Sequence, residues 1–188
     1  MKRIVFALLI LGLGMAAALG RPTIAAAETG GRFILMDTER KVVTDADFHG
    51  KFLLMFFGYT FCPDICPTGM QDVAEVLDLL GKDVADVSAV FVSVDPDRDT
   101  PDVIRDYIKN FDERIIGLTG SKASIDSVTK KYRIVFKKVE DKPGDPDYTI
   151  DHTASILLIS PDGKYIRRFG FGTPPADIVK TIREYLVR

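Results

Sequence analysis

The run Phe52-Leu53-Leu54-Met55-Phe56-Phe57, closed by Gly58, contains no polar side chain. A strand with one solvated face alternates apolar and polar residues, so an unbroken apolar run suits a strand buried on both faces of a sheet. Such a strand demands covering layers on both sides, and the following chain supplies them. From Thr68 to Leu80 the positions Met70, Val73, Ala74, Val76, Leu77 and Leu80 recur at helical spacing, with Pro67 in the first turn and Gly81 as a stop. Val87–Val94 reads as a second buried strand, and Thr100 caps a helix opened by Pro101.

The alternation continues to the C-terminus. Ile115–Leu118 is a short strand, Ser121–Tyr132 a helix with Ser121 as cap, and Arg133–Phe136 extended chain. Ala154–Ser160 is a strand that Pro161-Asp162-Gly163 turns into Lys164–Phe169, giving an antiparallel hairpin. Pro174-Pro175 opens a closing helix through Leu186, and Arg32–Met36 with Lys41–Val43 form an N-terminal hairpin at the sheet edge. The fold class is α/β, with a mixed central sheet flanked by helices. Only "KKVEDKPGDPDYTIDHT", residues 137–153, lacks periodicity; a polar connection of that length is expected to be a binding element or a mobile loop.

The chain has 188 residues, 46% of them hydrophobic, which favours a single core over two. Its formal charge of -2 has no basic stripe, which argues against a nucleic-acid partner. Met1-Lys2-Arg3 followed by the apolar run Ile4–Gly20 is a basic region leading into a membrane-entering stretch, so export is expected. Ala25-Ala26-Ala27 resembles a signal-peptidase site, while the apolar run is close to the shortest span that crosses a bilayer. Residues 1–27 are therefore read as a signal peptide or membrane anchor, and residues 28–188 as one exported domain.

Cys62 and Cys66 are the only cysteines, and they stand in "FCPDICP" immediately after the first buried strand. Thiols in an oxidising compartment tend toward disulfides, but a bridge closing so short a loop constrains the unfolded chain little. A redox couple or a soft-metal clamp has the stronger motive. Two sulfurs in a strand-to-helix turn can face one side, and a helix N-terminus beside the second favours its thiolate. Two thiolates and one imidazole suit copper better than a closed structural zinc site, which takes four ligands. The imidazole must come from His49, in a polar turn, or from His152, where the long loop re-enters the sheet beside Asp151, a residue able to orient the ring or accept its hydrogen bond. Asp64 serves the turn; Asp95, Asp97 and Asp99 lack the pattern of a calcium loop and read as turn and cap residues. Met36, Met55 and Met70 belong to the core. A peroxidase reading is disfavoured by Tyr59, since peroxiredoxins carry Thr or Ser three residues before the attacking cysteine.

Three blocks in combination, "GYTFCPDICPTGM" (58–70), "VSVDPDRDTP" (92–101) and "YTIDHTASILLISPDG" (148–163), resemble the Sco/SenC family of copper-binding proteins from about Gly31 to the C-terminus. The resemblance implies a thioredoxin-like fold and an N-terminal membrane anchor at the periplasmic face. It implies delivery of copper to, or reduction of, the cysteines of the binuclear copper centre in cytochrome c oxidase subunit II or another cuproenzyme, with copper received from a donor protein. The family's ligands fall on Cys62, Cys66 and His152, holding one Cu(I) or Cu(II) per chain; if the activity is redox, Cys62 and Cys66 carry it.

Overall fold

The structure is a computed structural model that describes residues 29–186. Residues 1–27, read as a signal peptide or membrane anchor, lie outside the described residues. Among the described residues no helix is long and apolar enough to cross a membrane.

The apolar run forms the centre of the molecule. Strands β1 (Ile34–Asp37), β2 (Val42–Thr44), β3 (Phe52–Gly58), β4 (Val87–Ser93), β5 (Ile115–Thr119), β8 (Ser155–Ile159) and β9 (Tyr165–Gly170) build a seven-stranded sheet in the order β2-β1-β5-β4-β3-β8-β9. Every residue of β3 and of β8 is buried. β3, β4 and β5 run parallel, while β1, β2, β8 and β9 pair antiparallel, so the sheet is mixed. The expected edge hairpin is β1–β2, and the expected C-terminal hairpin is β8–β9.

Helices α1 (Ile65–Leu80) and α2 (Pro101–Ile108) make the two parallel crossovers, from β3 to β4 and from β4 to β5. Right-handed crossovers that step the same way across a sheet place their helices on one face. There Phe56 lies under Gly69 of α1, and Gly117 lies under Ile104 and Ile108 of α2. Helix α4 (Pro175–Leu186) packs against α1, and α3 (Lys122–Lys131) leads to Tyr132, whose ring meets Phe57 on the opposite side. Thr100 and Ser121 cap α2 and α3 as expected, accepting hydrogen bonds from the amides of Val103 and Ser124.

Two elements depart from the sequence reading. α1 starts at Ile65 rather than Thr68, which places Cys66 inside its first turn. Pro67 does not prevent this, because the first four amides of a helix have no intrahelical acceptor to lose. The long polar connection is not structureless: β6 (Phe136–Val139) and β7 (Thr149–His152) form a separate two-stranded hairpin, with Phe136 opposite His152. Its buried apolar residues are Tyr148 and Ile150, at 8% and 6% exposure between polar neighbours, and only the partly buried Phe136 joins them from the other strand. Alternation that sparse gives no readable run.

Replacing Gly69 by Ala places a Cβ 2.6 Å from Phe56 Cζ. Overpacking of this kind costs about 1–3 kcal/mol, more than the roughly 0.5–1 kcal/mol that alanine contributes over glycine in a helix. Gly69→Ala is therefore expected to lower the urea midpoint, with the slope of the transition unchanged.

Candidate metal centre

The end of β3, the first turn of α1 and the end of β7 meet at one point. Cys62 lies in the turn after β3, where its amide donates to the Tyr59 carbonyl at 3.3 Å. One turn on, the Cys66 amide donates to Cys62 Sγ at 3.4 Å. His152 arrives from 86 residues away and sets Nε2 3.0 Å from Cys66 Sγ. The three donor atoms lie within 4.8 Å of one another. Both cysteines are free thiols, Cys66 fully buried and Cys62 partly exposed. His49 is excluded from this group: its Nε2 faces Asp45 at 3.9 Å, beside Gly163.

Burial governs the electrostatics of the centre. The helix N-terminus at Cys66 was expected to favour thiolate, yet the Cys66 thiol is pushed far up, first by desolvation and then by its contact with Cys62. A helix dipole contributes a few tenths to about 1 kcal/mol, whereas full burial shifts a pKa by up to about 3–5 units. Without a cation in the site, Cys66 therefore stays protonated. Burial also lowers the pKa of His152, against smaller opposing effects of the Thr153 backbone and Asp151, so the imidazole is held neutral. A neutral imidazole and two sulfurs form a soft, oxygen-free donor set, which fits a thiophilic ion and not magnesium or calcium.

The ring of His152 is not oriented by Asp151. Successive residues of a strand point to opposite faces, so Asp151 faces solvent and no hydrogen bond joins the two side chains. His152 Nδ1 is buried without a hydrogen-bond partner. Tyr59 holds the ring instead, edge-on at 5.9 Å and 84°, while its hydroxyl accepts from the amide of Ile150 at 3.2 Å.

Three further residues prepare the site. At Gly58 a Cβ would lie 2.9 Å from Cys66 Sγ and 3.1 Å from Phe91 Cε2, so only glycine lets the sulfur approach the end of β3. Asp99, read as a turn residue, is 1% exposed and anchors the cysteine loop. It accepts from the Thr60 amide at 3.0 Å, the Thr60 hydroxyl at 2.6 Å and the Ser93 hydroxyl at 2.5 Å. Tyr59 completes the set. In the sequence Gly58 looked only like a strand terminator, and nothing linked Asp99 to a threonine 39 positions earlier. Asp97 is exposed and pairs with Lys122 at 2.6 Å, and Asp64 lies exposed at the start of α1.

Comparison with known proteins settles the family. The SCO1/SenC family model matches residues 21–187. The chain belongs to the SCO1/SenC family. A SCO2-like protein of Rickettsia felis is 36% identical over 154 residues, which are 82% of this chain and 75% of that one. The structure of Bradyrhizobium japonicum ScoI with copper bound superposes with a TM-score of 0.77 at 44% identity, covering 84% of this chain and 99% of that one. BsSco, a member of the Sco family of cytochrome c oxidase assembly proteins in which a disulfide switch was identified, superposes at 0.67 with 26% identity, over 84% of this chain and 93% of that one. The fold is thioredoxin-like, as these Sco structures are.

Two outcomes follow from the geometry. Gly58→Ala is expected to displace Cys66 Sγ and weaken metal binding by about 10-fold or more, as loss of a supporting group does, measured by competition with a chelator. The depressed pKa of His152 makes the metal-free protein lose stability as pH falls below 6.5, where the unfolded chain takes up a proton that the folded site resists. Below the folded-state pKa the loss levels off. His152→Gln should remove this component from a series of urea unfolding curves recorded between neutral and acidic pH.

Proposed function

We propose that this chain is a copper chaperone, which binds one copper ion through Cys62, Cys66 and His152 and passes it on to the binuclear copper centre of cytochrome c oxidase subunit II. The observation that carries this reading is the convergence of two sulfurs and one neutral imidazole within 4.8 Å. The copper-bound ScoI of Bradyrhizobium japonicum and the oxidase-assembly role of the family of BsSco support the choice of metal and of acceptor. Copper is the cargo. Three donors leave the ion coordinatively open, and Cys62 is the more exposed of the two sulfurs, so an incoming thiolate of the acceptor can displace it before Cys66. Supply by a copper donor protein and an alternative cuproenzyme acceptor belong to the same proposal and rest on the family; action at the periplasmic face, anchored or released, rests on the sequence of residues 1–27.

A second reading is favoured by the unequal exposure of the two sulfurs: a thiol–disulfide oxidoreductase. The thiolate of Cys62 would attack a partner disulfide, expelling one partner thiolate, and Cys66 would resolve the mixed disulfide and release the second. The partner gains two electrons and two protons, and Cys62 and Cys66 end as a disulfide. That product has no thiolates for copper, so the two activities exclude each other in time.

Anaerobic titration of the reduced full chain is expected to show one equivalent of copper bound and, for Cu(II), a sulfur-to-copper charge-transfer band. His152→Ala should weaken Cu(II) more than Cu(I), and by more than the roughly 10- to 100-fold typical of losing an outer partner. Absence of binding at one equivalent, alongside rapid thiol exchange that ignores His152→Ala, would favour the oxidoreductase.

A further inference from the structure

The β6–β7 hairpin makes no strand pairing with the main sheet, yet it carries one of the three donors. A lone two-stranded hairpin is marginal in water, so side-chain contacts must decide where its His152 end sits. The densest set of such contacts centres on Arg98, in the turn between β4 and α2. Its Nε donates to Asp95 Oδ2 at 2.6 Å, and Asp95 Oδ1 accepts from the Tyr148 hydroxyl at 2.7 Å. A terminal nitrogen of Arg98 donates to the Tyr148 carbonyl at 2.9 Å. The guanidinium carbon stands 3.5 Å from the centre of the Tyr148 ring, 4.8 Å from that of Phe61 and 5.8 Å from that of Tyr59.

The three rings belong to the two segments that supply the donors. Phe61 adjoins Cys62, Tyr59 meets His152 edge-on, and Tyr148 stands just before β7. Arg98 is 16% exposed and Asp95 3%, so the ion pair is shielded from solvent screening and its position is fixed by stacking on the rings. We propose that Arg98 is a positioning residue for the metal centre, strapping the cysteine loop to the hairpin and thereby setting the approach of His152 to the two sulfurs. It touches no donor atom. Cys62, in the loop, and Cys66, in the first turn of α1, are four residues apart and reach a metal without the strap; His152 does not. The strap therefore governs the imidazole-dependent state of the site, which on the copper reading is Cu(II).

The test compares Arg98→Gln with the unaltered full chain, reduced and titrated with Cu(II) and with Cu(I). Cu(II) affinity is expected to fall by about 10- to 100-fold, as for other groups that orient a ligand, with the nitrogen hyperfine coupling of the Cu(II) spectrum altered and Cu(I) affinity much less affected. In a His152→Ala background Arg98→Gln should cost Cu(II) nothing further, because the two changes act through one contact chain. An equal loss in both backgrounds, or equal losses for the two copper states, overturns the proposal. Should Arg98→Gln fail to fold, Arg98→Lys keeps the charge but lacks the planar fork, so a smaller loss in the same direction is expected and no loss refutes the strap. Hydrogen exchange gives a reading that needs no copper: the Ile150 amide should exchange faster in the variant while those of β3 do not. If the unaltered chain binds no copper, the copper reading fails, and Ile150 exchange alone decides for or against the strap.

Discussion

A strand buried along its whole length, Phe52–Gly58, has no solvent contact until it ends, and the rest of the molecule is arranged around that fact. β4 and β8 close its two edges, helices cover its faces, and the strand ends at Gly58 with Tyr59 still buried. Because the strand ends on a glycine beneath Cys66, the first turn of α1 can drop a sulfur against that end. Cys66 is thus seated by packing against the end of a buried strand, while Cys62 and His152 are brought to it by a turn and by a separate hairpin.

The same burial sets the chemistry. A sulfur this deeply placed is a poor thiolate on its own, whatever the helix dipole contributes, and an imidazole this deeply placed is a poor base. Burial thus favours the neutral form of both Cys66 and His152 in the metal-free site. A soft cation reverses the balance by supplying the positive charge that two thiolates need, so metal binding and proton release are coupled. Oxidation to a disulfide removes the same two thiols by a different route. On the proposed function, copper loading and disulfide formation compete for one pair of atoms, and the redox state of Cys62 and Cys66 would control metal binding.

Much of the fold was legible in the chain. The apolar run, the helical spacing of Met70 through Leu80, and the caps at Thr100 and Ser121 are local signals, and local physics honours them. The hairpin bearing His152 was not legible, because its burial rests on Tyr148, Ile150 and the partly buried Phe136, separated by lysines, aspartates and other polar residues. The start of α1 was missed for a different reason: Pro67 marks a first turn without saying how many residues precede it. Asp95 and Asp99 read as turn residues since their partners, Tyr148 and Thr60, are 53 and 39 positions away.

The sequence by itself determined the mixed α/β architecture, the cysteine pair at the end of a buried strand, and the limit of two candidate histidines. Its three motif blocks also pointed to the family that the comparisons established. Tertiary structure decided that His152 and not His49 stands 3.0 Å from Cys66, that Asp151 turns away from the ring, and that Tyr59, Asp99 and Arg98 surround the site. Strand and helix patterns are fixed by neighbours a few residues apart, so they can be read along the chain. A site assembled from segments 86 residues apart exists only once the core has packed and brought them together.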